Sequence, residues 1–449
     1  MTMLRQWTAC RAQRRPVGRL RAVGWGLYAV YAVLLAMLTT LSTHRVWGAA
    51  AAVGYGIAAL LAACRLHHPG WLPGAVAALG ATVVPLLLLG TARAQSEVRV
   101  VEDAAALLLR TGTPYVPAPD QLSEYNPYLP GTTVFGLPRA LFGEAEWTDA
   151  RWWFAAGFVA AAVAALRVMR TPGRDDPAVK REPSGRPVGS APVLLGLLAC
   201  PVIGLPLAVG GIDLPVVGLL CLGLAYAGRA QAGRAGVFLG LATVLKWTAW
   251  PAVPVAVALL ATVAIRRRHA SRPGTDAPLG GSGTRDGMRT ALRCLAATTA
   301  IAAAGVLPVA VTDAAGLVRH AVLFPLGMTD VPSPADSPLP GHLLASSLGG
   351  TVAVVALGVA AVLMAASLVV RPPLTTPVAA ARLALGLSAA FCLAPATRFG
   401  YFVYPLVLLM CCRPGGRDAE RTAVPVLRGS PAARPTHRHG SDLPATVRV

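Results

Sequence analysis

Apolar runs close to the span of a bilayer recur from one end of this chain to the other, and no other feature limits its fold as strongly. Inside hydrocarbon every backbone N–H and C=O must find its partner within the protein, which leaves helices and closed barrels. These runs are continuous, where a barrel strand would alternate, so the fold class is an all-α polytopic membrane protein. Composition agrees: 55% of residues are hydrophobic and 13% charged, too apolar for a soluble chain of this length. Spans are expected at about 23–41, 46–63, 74–91, 152–168, 191–207, 214–227, 235–246, 251–265, 291–311, 342–369, 378–393 and 399–410.

The formal net charge of +20 does not point to nucleic acid. Most of the arginine lies in the tails and in short loops between alternate spans, the pattern of cytoplasmic loops in a cell (cytoplasmic) membrane. Acids fall mainly on the other face, Glu97, Glu102, Asp103, Asp213 and Asp313 among them. Arg45 and Arg398, in short outer turns, run against the pattern. The expected layout has both termini cytoplasmic: a basic tail over 1–22, a membrane domain over 23–412 and a disordered tail over 413–449. Within the membrane domain, 92–151 forms an outer loop with juxtamembrane helices and 312–340 a second outer loop. None of the eight cysteines lies in an expected outer loop, so no disulfide framework is implied. No metal-ligand cluster, Walker loop or dinucleotide fingerprint is present, and no cofactor is expected.

The first outer loop carries the densest set of carboxylates in a chain poor in them. Ser96 followed by Glu97 reads as a helix start, a hydroxyl cap with a carboxylate in the first turn. Val98, Val101, Ala105, Leu108 and Leu109 then recur at helical spacing, with Glu97, Arg99, Glu102, Asp103 and Arg110 off that face. An amphipathic helix lying on the membrane surface is expected. A second surface helix is expected after Pro130, with Val134, Phe135, Leu137, Leu141 and Phe142 apolar.

An acid just beyond a span, an Ala/Leu-rich helix, Gly112–Tyr115 (Gly-x-Pro-Tyr) and Tyr128–Pro130 (Tyr-Leu-Pro) together resemble the first outer loop of GT-C membrane glycosyltransferases. Gly211-Ile-Asp-Leu, with a span that later ends in Val-Leu-Lys246, resembles the central motif of the family-87 branch. Pro395–Tyr401 with Tyr404-Pro405 resembles its last outer turn. That branch is similar to polyprenyl-phosphate-mannose-dependent α-mannosyltransferases, and the likeness runs over roughly residues 75–412. It implies a GT-C-like bundle of about twelve transmembrane helices with outer juxtamembrane helices. It further implies that a hexose, mannose first, passes from a polyprenyl-phosphate sugar donor to the hydroxyl of a lipid or glycan acceptor, outside the membrane and with inversion. Two features depart from the family: its key acid is usually Asp where this chain has Glu97, and the hairpin of the first two spans is extra.

Such chemistry needs one carboxylate base near the anomeric carbon and cations for the phosphate. The candidate base is Glu97, with Glu102 as a second carboxylate or an ion-pair partner of Arg99. Lys246 is the first choice for the phosphate, followed by Arg398 and Arg319, though an interfacial lysine also snorkels without function. His320 is a candidate for acceptor or phosphate binding, Asp213 for the cavity wall, and Tyr115 and Tyr128, with Tyr125 and Tyr401, for stacking on sugar. A rival reading, a transporter of a lipid-linked intermediate, calls for mid-span charges and internal repeats, of which the sequence has few and none clear. A further rival is a chain of the same fold that has lost catalysis and binds lipid or a partner.

Overall fold

The structure, a computed structural model, describes residues 2–64, 68–90, 95–171, 190–270 and 282–413. The stretches 172–187 and 271–281 of the expected inner loops, and the tail from 414, lie outside those residues. The first helix, α1 (Thr2–Leu38), runs through the basic tail into the first span without a break, and α2 (Ser42–Ala63) packs antiparallel to it. The third span is α3 (Leu72–Ala78) and α4 (Val84–Leu89), joined through a π-helical turn at Leu79–Val83.

Helices α5 (Ser96–Thr111) and α6 (Leu137–Phe142) occupy the loop that follows. Helix α7 (Ala150–Arg170) returns through the bundle. The expected span at 191–207 is two half-helices, α8 (Ser190–Leu198) and α9 (Pro201–Val209), bent by 70°. Pro201 is the cause: it has no N–H to give and forces Cys200 to extended backbone, with ψ 125°. Helices α10 (Asp213–Gly228), α11 (Ala232–Thr243), α12 (Ala252–Ala270) and α13 (Ser282–Thr312) follow. The second long loop holds α14 (Ala314–Val318), and α15 (Pro340–Leu348), α16 (Gly350–Val370), α17 (Thr376–Leu393) and α18 (Val403–Cys411) complete the bundle.

Among the described residues, eight helices are long and apolar enough to cross a bilayer, and α8 with α9 makes a ninth if the bent pair is one span. The segments expected as spans at 214–227, 235–246 and 399–410 are the shorter helices α10, α11 and α18. At 1.5 Å per residue these cover about 24, 18 and 14 Å, short of a hydrocarbon core near 30 Å. They sit inside the bundle. Nearly every residue of α10 is buried, and its side chains join those of α7, α11, α12, α17 and α18 in the main apolar core. A second core ties α1 and α2 to the third span and to α9.

Helix α5 forms where the spacing placed it, with one correction at its start. Gln95 is the N-cap and Ser96 the first helical residue, and no side chain caps the end. The apolar face is covered by protein: Val98 and Val101 pack with Tyr128, Phe154 and Ile212. After Pro130 the chain makes a 3₁₀ turn (Pro130–Phe135) before α6, whose Leu141 and Phe142 are exposed.

Candidate active site

Four separate segments meet at the Lys246 end of the bundle, and each is held there by backbone. Helix α5 brings Glu97 in its first turn, where the unpaired N–H groups favour a carboxylate. The turn from α9 into α10 delivers Asp213, likewise in the first turn of its own helix. These two starts touch at Gly210, whose φ of +101° lies in the left-handed region. A Cβ there would also run into Val98 and meet the Arg151 stem at 2.7 Å, so only glycine lets α5 approach this closely. Lys246 follows the end of α11. Its neighbours Val244 and Leu245 accept hydrogen bonds through their carbonyls from the N–H groups of Gly131 (3.1 Å) and Leu129 (3.2 Å), which fixes Tyr128 beside the lysine. The turn after α17 carries Arg398 and Tyr401. It is pinned to the second long loop by a bridge between Asp336 and Thr397.

The side chains form two linked ion pairs. Lys246 Nζ lies 2.6 Å from Asp213 Oδ1, with both residues under one-tenth exposed. The same oxygen accepts a hydrogen bond from Tyr404 OH at 2.7 Å, and Tyr404 OH accepts one from Thr248 at 2.7 Å. Lys246 Nζ stands over the rings of Tyr401 (4.9 Å to the centroid) and Tyr128 (5.3 Å), a double cation–π contact. Arg398 Nη1 reaches Glu97 Oε1 at 3.3 Å, a looser pair with side chains 39% and 19% exposed. Burial raises the Glu97 carboxyl above the ordinary glutamate range, the nearby Asp213 charge pushes the same way, and Lys246 and Arg398 only partly offset them. The cluster therefore holds two acids and two cations inside a ring of tyrosines. The more exposed pair is the one that contains Glu97.

Glu97, Lys246, Asp213, Arg398 and Tyr128 are thus brought together, and Tyr401 joins them. The other candidates lie elsewhere. Glu102 does not pair with Arg99. Its Oε1 accepts the Ala150 N–H at 3.0 Å, and its Oε2 lies 3.4 Å from Arg139 Nε, so it caps α7 and ties it to α5 and α6. His320 is fully buried: Nδ1 accepts the Asn126 N–H (3.1 Å), which leaves Nε2 to donate to the Val116 carbonyl (3.0 Å). Tyr115 stacks on that ring at 5.1 Å and gives its own hydrogen bond to the Tyr128 carbonyl. Burial lowers the His320 pKa, and both ring nitrogens are used. His320 and Tyr115 together clamp the first long loop to the second. Arg319 is exposed and makes no contact with the cluster.

Tyr404 and Thr248 were not among the candidates, although Tyr404 stands in a motif already quoted. Asp149 and Arg151 were missed too: a buried pair at 2.7 Å at the start of α7, with Arg151 Nη1 lacking a partner. Their adjacency in the sequence was the available signal. Among the described residues no group of three or more His, Cys, Asp or Glu side chains is arranged to hold a metal ion.

The profile of glycosyltransferase family 87 matches residues 126–396, more than half of the chain. The match takes in Tyr128, Asp213 and Lys246, while Glu97 lies well before its start and Arg398 just past its end. No curated protein and no solved structure matches the chain.

Proposed function

The chain belongs to glycosyltransferase family 87, and we propose that this membrane glycosyltransferase moves a hexose, mannose in the first instance, from a polyprenyl-phosphate sugar to an acceptor hydroxyl at the outer face of the cytoplasmic membrane. The single observation that carries the reading is the meeting of Glu97, Asp213, Lys246 and Arg398 from four segments distant in sequence.

The geometry supports the following roles. Glu97 takes the proton of the acceptor hydroxyl as that oxygen bonds to the anomeric carbon. The bond from that carbon to the phosphate oxygen breaks, and its electron pair leaves with the lipid phosphate. One displacement by one base inverts the anomeric centre. Arg398, only loosely held by Glu97, is free to turn to the phosphate and so releases the carboxylate. Lys246 adds positive potential from a fixed position, since Asp213, Tyr128 and Tyr401 leave it little freedom. Charge is conserved across the step: the phosphate gains the negative charge that Glu97 loses. The exposed Trp247 and Trp250 and the half-buried Tyr401 suit stacking on a sugar.

The test is transfer itself. Membranes carrying the protein are incubated with labelled polyprenyl-phosphate mannose, polyprenyl-phosphate glucose and nucleotide-linked mannose. Label should move from the first lipid donor to an acceptor. Transfer from the nucleotide sugar alone would overturn the donor assignment.

A further inference from the structure

A groove of about 420 Å³ runs between α12, α13 and α16, walled by Ala258, Ile265, Gly287, Met288, Ala365 and Leu368. It runs along α12 from Pro254 to Ile265, toward the end of that helix away from Lys246. The helix starts beside Trp250, next to the ion-pair cluster, and ends in Arg266, Arg267 and Arg268. None of its lining residues belongs to the ion-pair cluster, and almost no polar surface lines it.

What closes its mouth is basic. Arg268 stands three residues beyond Ile265 on α12, which puts it on the helix face that lines the groove, and Arg371 caps the C-terminal end of α16, three residues after Leu368. Arg268 is bound to Asp286 of α13 at 2.7 Å and is still half exposed. Arg371 is exposed and has no acidic partner among the described residues. Arg285 and Arg289 are exposed on α13, on either side of Asp286. The end of the groove thus carries Arg268, shared with Asp286, and the exposed Arg371, beside a slot with almost no polar surface.

We propose that this groove is a binding site for an anionic phospholipid, with one acyl chain in the slot and the phosphate on Arg371 and Arg268. Apolar length and a cationic rim at one level of a bundle match both halves of such a molecule, as basic pockets between spans do elsewhere. A zwitterionic lipid fits the slot equally well but gains little at the rim. A polyprenyl phosphate shares the chemistry of chain and anion, and the experiment separates the two. The site stands independently of the transfer reaction.

The full-length protein, purified in neutral detergent, is titrated with phosphatidylglycerol, phosphatidylcholine or polyprenyl phosphate. Binding is read by native mass spectrometry and by melting temperature. Phosphatidylglycerol should bind and raise the melting temperature, and phosphatidylcholine should do neither at the same concentration. Arg371→Gln should weaken phosphatidylglycerol binding about fivefold, the worth of one arginine at an anionic headgroup. Ala365→Phe should exclude the chain and abolish binding. Ala365 is exposed on a sparsely buried helix and Arg371 is exposed at its end, so both variants should melt like the parent in detergent alone. Equal binding of phosphatidylcholine would overturn the proposal. So would binding of polyprenyl phosphate alone, or undiminished phosphatidylglycerol binding in both variants.

Discussion

Replacing Glu97 by Gln separates the chemistry of this site from its architecture. Gln has nearly the same volume and keeps an oxygen that can accept from Arg398, but it carries no charge and takes no proton. The structural cost is set by the pair that is weakened. At 3.3 Å, with side chains 39% and 19% exposed, it is a partly solvated bridge worth about 1 kcal/mol or less. Melting should fall by no more than about 2–4 °C. The catalytic cost is set by the loss of a general base, about 10²- to 10⁴-fold in rate, or about 3–5 kcal/mol on the barrier. The assay is single-turnover transfer from labelled polyprenyl-phosphate mannose in proteoliposomes, with melting followed on the same preparation. A rate within about threefold of the parent would remove Glu97 from the mechanism. A large fall in melting temperature would show that the carboxylate holds the fold, and the rate would then carry no mechanistic weight.

The raised pKa of Glu97 also fixes a pH dependence. A base must be ionised, so transfer should fall as pH drops through a value above the ordinary glutamate range near 4.5. A kcat/KM profile with no acid limb, or with its limb at or below that range, would contradict this. Lys246→Met strips the counter-charge from buried Asp213 and should cost about 3–5 kcal/mol of stability. Adding Asp213→Asn should restore much of the melting temperature but not the affinity for donor lipid, and recovery of both would make Lys246 structural. His320→Ala removes two hydrogen bonds and two ring contacts, at a cost of about 3 kcal/mol. The loop 113–128 should become sensitive to limited proteolysis, while protein that stays folded should transfer at a rate near the parent's.

The difference between the candidates that meet in the ion-pair cluster and those that lie elsewhere is one of reach. Glu97 was legible because a helix start and a heptad-like apolar stripe both locate it, and local backbone decides both. Lys246 and Arg398 were legible because each stands alone as a cation at the end of an apolar run, where a charge needs a reason. Glu102 and His320 look equally functional in the sequence. Their partners, the Ala150 N–H and the Asn126 N–H, lie 48 and 194 residues away. No local pattern encodes such a contact. The bend at Cys200–Pro201 was written in the proline, yet the apolar run through it gave no sign that the span divides.

By itself the sequence determined a helical membrane protein, because apolar length and the cost of an unpaired backbone group in lipid leave a chain few alternatives. It also determined which charges are exceptional, because so few are present. Only the tertiary structure decided which of those charges meet. Glu97 and Arg398 are 301 residues apart in sequence and in contact at 3.3 Å. That closeness depends on tight packing at Gly210, against the Val98 and Arg151 side chains, and at Gly131, against the Val244 backbone, where a single added methyl group would hold the segments apart.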